Sequence, residues 1–389
     1  MNAWPSSVAS ASPSAAVSAS TADLELRVLE GFAAFAALAG EWDELLGRCE
    51  ADQPFSRHAW FTTWWQSFGE GRPCQVVTVC RAGRLVAALP LLTHTVCRYG
   101  HDFRQLGLWV NTHSFRSGLV CDREHLDAVG VLVAHLAARR DWDLLELPYL
   151  PRDWQVQRAF RSALSAHGLP YLTRPGMDSP RLALQGSWED YLQSRSRSRR
   201  ETIRRKLRRL DKAGAVISIS RGRVADLEQR LQDCWEVSRH TWKHREGSSI
   251  AADPRRMAFY RALAELDPDW LVLGLVHREG RPIAFEYDLL HGGILYNLKL
   301  GYDEAEKELA PGQALRYAML EWAFVNGVRM FDYMGLSAEY KLELSSEVLY
   351  HENLRVYSRS LAARLAHLYE ARLRPALSRV KRRLHGGRV

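Results

Sequence analysis

Residues 282–335 read PIAFEYDLLHGGILYNLKL followed by GYDEAEKELAPGQALRYAMLEWAFVNGVRMFDYMG. Side chains alternate across a strand. The run 282–290 therefore sends Ala284, Glu286 and Asp288 one way and Ile283, Phe285, Tyr287 and Leu289 the other. Two carboxylates on one face of a central strand are costly unless that face opens on a solvated cleft or one of them is a general base. His291-Gly292-Gly293 turns the chain into a second strand, 294–300, expected to carry Asn297 and Lys299 on a common face. Gly301-Tyr302-Asp303 leads through an acidic loop to Leu309-Ala310-Pro311-Gly312-Gln313-Ala314, which opens a helix over 312–326. A helix N-terminus offers unpaired N–H groups and the positive end of its dipole, and Pro-Gly lets a ligand approach the backbone, a geometry suited to pyrophosphate. The helix stops at Asn326-Gly327, a strand at 330–333 carries Asp332, and a loop ends in Tyr340-Lys341.

Upstream, runs at 271–277 and 282–290 flank the turn Arg278-Glu279-Gly280-Arg281, making a hairpin. The first half of the chain has the same grammar. Strands at 76–81 and 85–92 flank Ala82-Gly83-Arg84, and GRLVA (83–87) answers GRPIA (280–284). A strand at 24–29 and two helices precede that hairpin. The second helix spaces Trp60, Trp64, Trp65 and Phe68 as one apolar helical face. Strands near 105–109 and 143–147 enclose a helix over 123–139. The matching order predicts an internal duplication with its join near 171–187, where Gly, Pro and Ser cluster. A single arginine-rich helix is expected over 189–213. Ile203, Leu207 and Leu210 form its one apolar stripe, most of its arginines face outward, and Gly214 is placed at its C′ position.

The chain has 389 residues, 47% of them hydrophobic, enough for two cores. The division is a Ser/Ala-rich tail (1–22), units at 23–180 and 181–358, and a basic helical tail (359–389). No run approaches the roughly 20 apolar residues of a membrane span. The tail lacks the charged start and apolar centre of a secretory signal, so a cytoplasmic location is expected. Cys49, Cys74, Cys80, Cys97, Cys121 and Cys234 have neither CxxC nor metal spacing, which predicts reduced core thiols and no metal. The formal charge of +8 is concentrated in 195–209 and near the C-terminus. Such clusters point to an anionic polymer or a membrane surface.

The series GRPIAF, ILYNLKLGYD, APGQALRYAML, GVRMFDYMG and EYK resembles the CelD/BcsL-type acetyltransferase domain of cellulose and exopolysaccharide biosynthesis. More distantly, it is similar to the Fem-type peptidoglycan peptidyltransferases. Both have GNAT folds, the second with two GNAT-like units in tandem. The arginine-rich helix before KAGAVISI (212–219) and PFSRHAWFTTWWQSFG (54–69) also fit, so the resemblance spans 24–358. Two positions depart from the pattern. Leu309 stands where the phosphate loop usually has Gln or Arg, and no aromatic follows Tyr340-Lys341.

The resemblance implies an α/β fold of two tandem GNAT-like units with mixed sheets flanked by helices. It implies an N-acyltransferase moving an acetyl group from acetyl-CoA to an amine on an amino sugar or other cell-envelope precursor. Positioning, a base and oxyanion stabilisation suffice for that reaction, without a covalent enzyme intermediate. Glu286 and Asp288 are then the candidate bases, with Asp303 behind them. Lys341 would stabilise developing charge, and Tyr302 and Tyr340 would be acids for the leaving thiolate. Pro311, Gly312, Gln313 and Ala314 would bind the CoA phosphates, while Asp332 would be structural. Two other readings are an aminoacyl-tRNA-dependent peptidyltransferase, less favoured, and a non-catalytic scaffold at a polysaccharide-assembling membrane complex.

Overall fold

The apolar alternation of the two hairpins is realised in two mixed sheets. The computed structural model describes residues 23–50, 52–69, 71–335 and 338–375. The expected tail 1–22 and the basic run 376–389 lie outside them. The first sheet is ordered β1 (Leu24–Glu30), β2 (Cys74–Arg81), β3 (Arg84–Arg98), β4 (His101–Gly107), β6 (Leu144–Pro151), β15 (His351–Tyr357) and β7 (Tyr171–Pro175), with β5 (Val120–Cys121) paired to β3. The second is ordered β14 (Glu347–Leu349), β8 (Ser179–Ala183), β13 (Met330–Asp332), β12 (Ile294–Tyr302), β11 (Arg281–His291), β10 (Leu271–Arg278) and β9 (Ala215–Arg221).

The duplication is visible in this order. Each unit lays down four antiparallel strands, β1–β4 or β9–β12. A helix, Ala128–Ala138 or Pro311–Val325, then returns the chain to a parallel neighbour, β6 beside β4 or β13 beside β12. The units part from the sequence-based division at their ends, where they exchange strands. β8, from the end of the first unit, lies between β13 and β14. β15, from the end of the second, lies between β6 and β7. Residues 351–357 therefore belong to the first sheet.

The aromatic helix His58–Phe68 buries Trp60 and Trp64 at the seam of the two units. Trp60 meets Phe259 edge-on at 5.3 Å, and Phe68 meets the same ring at 5.3 Å. One continuous apolar cluster joins Trp42, Trp60 and Trp109 to Phe259, Leu273 and Tyr287. Truncating a large buried aromatic in such a seam costs about 3–5 kcal/mol, because the cavity it leaves is only partly refilled.

The arginine-rich segment is two helices, Trp188–Ser194 and Arg197–Lys212, where one was expected. Ser187 forms a capping box with Asp190, and Ser196 caps the second helix by accepting from the Arg199 N–H at 3.3 Å. That second cap signal ends the first helix. Gly214 takes the left-handed conformation expected of a C′ glycine, with φ of 67°. Among the described residues, the cysteines other than Cys97 are buried and all are free thiols, and no helix is long and apolar enough to cross a membrane.

Candidate active site

β12 and β13 are paired only from Ile294 to Tyr296. Beyond that point β12 runs on to Tyr302 paired with β11 but without β13, and the helix Pro311–Val325 begins beside the gap. Ala310, with φ of 51°, makes the turn into it. Where the strands part, a cleft of about 470 Å³ opens against the end of β12, the first turns of this helix, the arginine-rich helix and the short helix Glu339–Leu344.

Its charge is one-sided. Arg199, Lys206, Lys243 and Arg316 line it against a single carboxylate, Glu343, which pairs with Arg199. Lys206 donates to Gln313 Oε1 and Arg209 to the Glu308 carbonyl, clipping the arginine-rich helix to the first turn of the helix Pro311–Val325 and to the segment before it. Part of the expected outward basic face is thus turned into the cleft.

Of the residues assigned to phosphate binding, Gly312 and Gln313 line the cleft, whereas Pro311 and Ala314 are buried behind it. Tyr302 also lines it and lies on Gly312, where a Cβ would stand 3.1 Å from Tyr302 Cδ1. A side chain at 312 would therefore press on this ring as well as on any ligand.

Glu286 and Asp288 do not reach the cleft surface. Both are fully buried, so the solvated sheet face expected from the sequence is dry. Arg316 Nε donates to Glu286 Oε2 at 3.0 Å and Arg316 Nη2 to Asn297 Oδ1 at 2.8 Å. Asn297 Nδ2 donates in turn to Asp288 Oδ1 at 2.6 Å. The guanidinium also sits over the rings of Phe331 and Tyr333, 5.0 and 5.3 Å from their centroids. One cation faces two carboxyls. Burial raises both carboxyls, Glu286 being opposed by the charge of Arg316 and Asp288 pushed further up by Glu286, so the proton of the pair falls to Asp288 and Glu286 is the counter-ion of Arg316. The other oxygens, Glu286 Oε1 and Asp288 Oδ2, have no donor among the described residues, and a carboxyl proton between them supplies one. The pair therefore sits behind Arg316, which lines the cleft.

Arg316 was missed in the sequence, yet it carried a signal. It follows Gly312 by four residues and so shares its helix face, which packs on the strand bearing both carboxyls. Lys299 was misplaced. Between Tyr287↔Lys299 and Asp288↔Asn297 the pairing slips by one residue, a bulge at Leu298. Asn297 consequently meets Arg316, whereas Lys299 Nζ lies over the Phe115 and Tyr260 rings on the other side of the sheet.

Lys341 donates to the Tyr333 carbonyl at 3.2 Å and the Met334 carbonyl at 2.6 Å. Burial, and then the charges of Arg316 and Lys243, lower its ammonium pKa to about 7. Its neighbour Tyr340 lines the cleft. Asp303 accepts from the Ala305 N–H at 2.9 Å, a turn cap. Asp332, fully buried, is held ionised by Arg116 and Arg181 against the desolvation that opposes it, and accepts from Ser179 Oγ at 2.5 Å. Arg116 comes from the first unit, so this network ties the two units together.

Residues 197–342 match the family profile described as Acetyltransferase (GNAT) domain. Among solved structures, FemX is similar over 81% of this chain and 95% of its own, with a TM-score of 0.57 and 14% identity. L-PGS from Bacillus licheniformis is similar over 86% and 95%, with a TM-score of 0.51 and 11% identity. The C-terminal domain of a putative lysylphosphatidylglycerol synthetase from Agrobacterium fabrum matches over 86% and 97%, at 0.50 and 13%. No curated protein matches in sequence. At these identities the likeness to the solved structures is one of fold, and the GNAT acetyltransferase profile covers residues 197–342.

Proposed function

We propose that the chain is an N-acyltransferase that moves an acetyl group from acetyl-CoA to an amine on an amino sugar or other cell-envelope precursor. The observation that carries this reading is the cationic cleft where β12 and β13 part, beside the start of the helix Pro311–Val325 and, but for Glu343 and Leu344, within the matched segment. Arg199 and Lys206 are placed to meet the phosphates of the donor, with the helix N-terminus beside them. The acceptor nitrogen forms a bond to the thioester carbon, the C–S bond breaks, and the thiolate leaves. Arg316, fixed by Glu286 and Asn297, is a preorganised cation in the cleft wall for the charge that develops. Lys341, next to the cleft-lining Tyr340 though not itself lining the cleft, and lowered to about 7 by burial, takes up the proton the amine loses. Tyr340 and Tyr302 are the hydroxyls available to protonate the thiolate. The buried pair Glu286 and Asp288 acts through Arg316.

The test is calorimetric titration of CoA into the wild-type chain and the double variant Arg199→Gln/Lys206→Gln, with circular dichroism as the folding control. Two charge-assisted contacts of partly exposed groups predict about ten- to hundredfold weaker binding in the variant. Equal affinities would place the donor elsewhere.

A second donor, aminoacyl-tRNA, is favoured by Arg197, Arg204, Arg205, Arg208 and Arg209, which remain exposed on the helix beside the cleft. Under that reading RNA binds with a steep salt dependence and CoA does not. Binding of neither would leave the scaffold reading.

A further inference from the structure

A second cleft, of about 410 Å³, lies on the other side of the β12 end. It shares Lys243, Leu300 and Gly301 with the first, so the two meet there. Its far wall, Thr112 and His113, comes from the first unit. Lys243, Arg256 and Lys299 line it, and among the described lining residues there is no Asp or Glu. None of the three cations has a carboxylate partner among the described residues. Lys243 donates to the Leu300 carbonyl at 3.1 Å, and Arg256 to the carbonyls of Gly247 and Ser249 at 2.7 and 2.8 Å. Among the described residues the Lys299 ammonium meets the faces of Phe115 and Tyr260, at 5.2 and 5.7 Å. Cations gathered in a cavity without a counter-ion are an incomplete arrangement, because each opposes the charging of the others.

We infer that this second cleft is an anion subsite and that the acceptor amine is carried on a molecule bearing an oxyanion, a phosphate or carboxylate group, which Lys299, Arg256 and Lys243 receive. The inference rests on the acyl-transfer reading for the word acceptor, though not for the anion site itself.

Of the groups facing Lys299, Lys243 is itself lowered by burial and then by the charge of Arg316. Burial, then the charges of Lys243 and Arg256, lower the Lys299 ammonium to about 7. His113 on the opposite loop is lowered to about 3 by burial, then by Lys299 and Arg256, and is neutral. Burial holds Tyr260, from the helix Pro254–Leu266, and Tyr287, from β11, well above their ordinary values. Asp253, which bears on His113, is engaged by Arg255 at 2.9 Å. An anion stabilises charged Lys299 and raises its pKa on binding. Affinity should therefore be full below pH 7 and fall above it, by up to about tenfold per pH unit.

The experiment titrates sulfate, a dianion throughout this range, into the full chain at pH 6.0 and 8.5. Wild type should bind more weakly at 8.5 by about ten- to thirtyfold. Lys299→Gln should bind weakly at both values with no pH dependence. Lys299→Arg, whose charge is fixed, should bind equally at both. Arg199→Gln/Lys206→Gln, which removes the first cleft's own anion contacts, should keep the pH-dependent, Lys299-dependent component of sulfate binding and lose only a pH-independent one, which separates the two clefts. Competition by glucosamine 6-phosphate or by glutamate then tells a phosphate-bearing acceptor from a carboxylate-bearing one. If sulfate binding ignores both pH and Lys299 while CoA still binds, the anion subsite is overturned and acyl transfer stands. If sulfate reports Lys299 as described and CoA does not bind, the subsite stands and the acyl-CoA reading falls.

Discussion

A buried arginine facing two carboxyls can be neutralised by one of them, and the hydrogen bonds decide which. Glu286 takes Arg316 Nε directly, while Asp288 reaches the cation only through Asn297. Asp288→Asn therefore replaces a neutral acid by a neutral amide of the same shape. It should change stability by no more than about 1 kcal/mol in urea unfolding at pH 7. Glu286→Gln strands the guanidinium and should cost about 3–5 kcal/mol. The reverse ranking would assign the proton to Glu286. Lys341 gives a second expectation at this scale. With its folded pKa lowered to about 7 by burial first, it is neutral and able to accept a proton above that value. The acetylation rate should rise with pH through about 7 to a plateau, and Lys341→Met should be slow without that rise. An unshifted limb in the variant would remove Lys341 from proton transfer. The sequence showed that Glu286 and Asp288 share a face, because alternation is a local property of a strand. Whether that face is wet depends on Arg316, thirty residues from Glu286 along the chain, and periodicity carries no information about such a partner.

Elements were legible where their stabilisation is local and obscured where a neighbour overrides it. The hairpins at Ala82-Gly83 and Glu279-Gly280 were legible because both turn residues of each take positive φ, the geometry that two-residue hairpins demand. The aromatic helix was legible from its 3.6-residue spacing. The arginine-rich helix was drawn without its break, although Ser196 before a new helical run is itself a cap signal. The bulge at Leu298 left no mark in composition, yet it turns Lys299 from one cleft to the other. The chemistry of both clefts thus depends on one extra residue in β12. Of the predicted phosphate-site residues, Gly312 and Gln313 reach the cleft because Pro311 at the first helical position fixes where the first turn faces.

At the scale of the whole molecule the two units are not separable at the point where the sequence divides. β15 pairs with β6 on one side and β7 on the other, so it is an interior strand of the first sheet. Leu354 and Val356 on it are buried in the first unit's apolar cluster beside Leu145 and Leu147. Arg355 pairs there with Glu146 and Glu370. The sequence hid this because β15 is short and its partners lie more than a hundred residues away. Nothing local distinguishes a strand that continues its own sheet from one that crosses to another. A fragment cut at 23–180 would lose that interior strand. β6 and β7 would face an empty slot, and two rows of unpaired backbone groups would be left. Of β8 only Ser179 and Pro180 would remain, separated from β13 and β14. The seam side chains Trp60 and Phe68 would lose Phe259. The fragment 23–180 expressed alone should therefore show no cooperative thermal transition by circular dichroism and should bind a dye for exposed apolar surface, while the whole chain melts cooperatively. Adding a peptide of 347–375 restores β15 and the helix Leu361–Leu368 packed beside it, though not Phe259, so a partial gain in structure would separate this segment's contribution from that of the seam. A cooperative melt of 23–180 within a few degrees of the whole chain would mean that the exchanged strand adds little, and that the units were independent before they were joined.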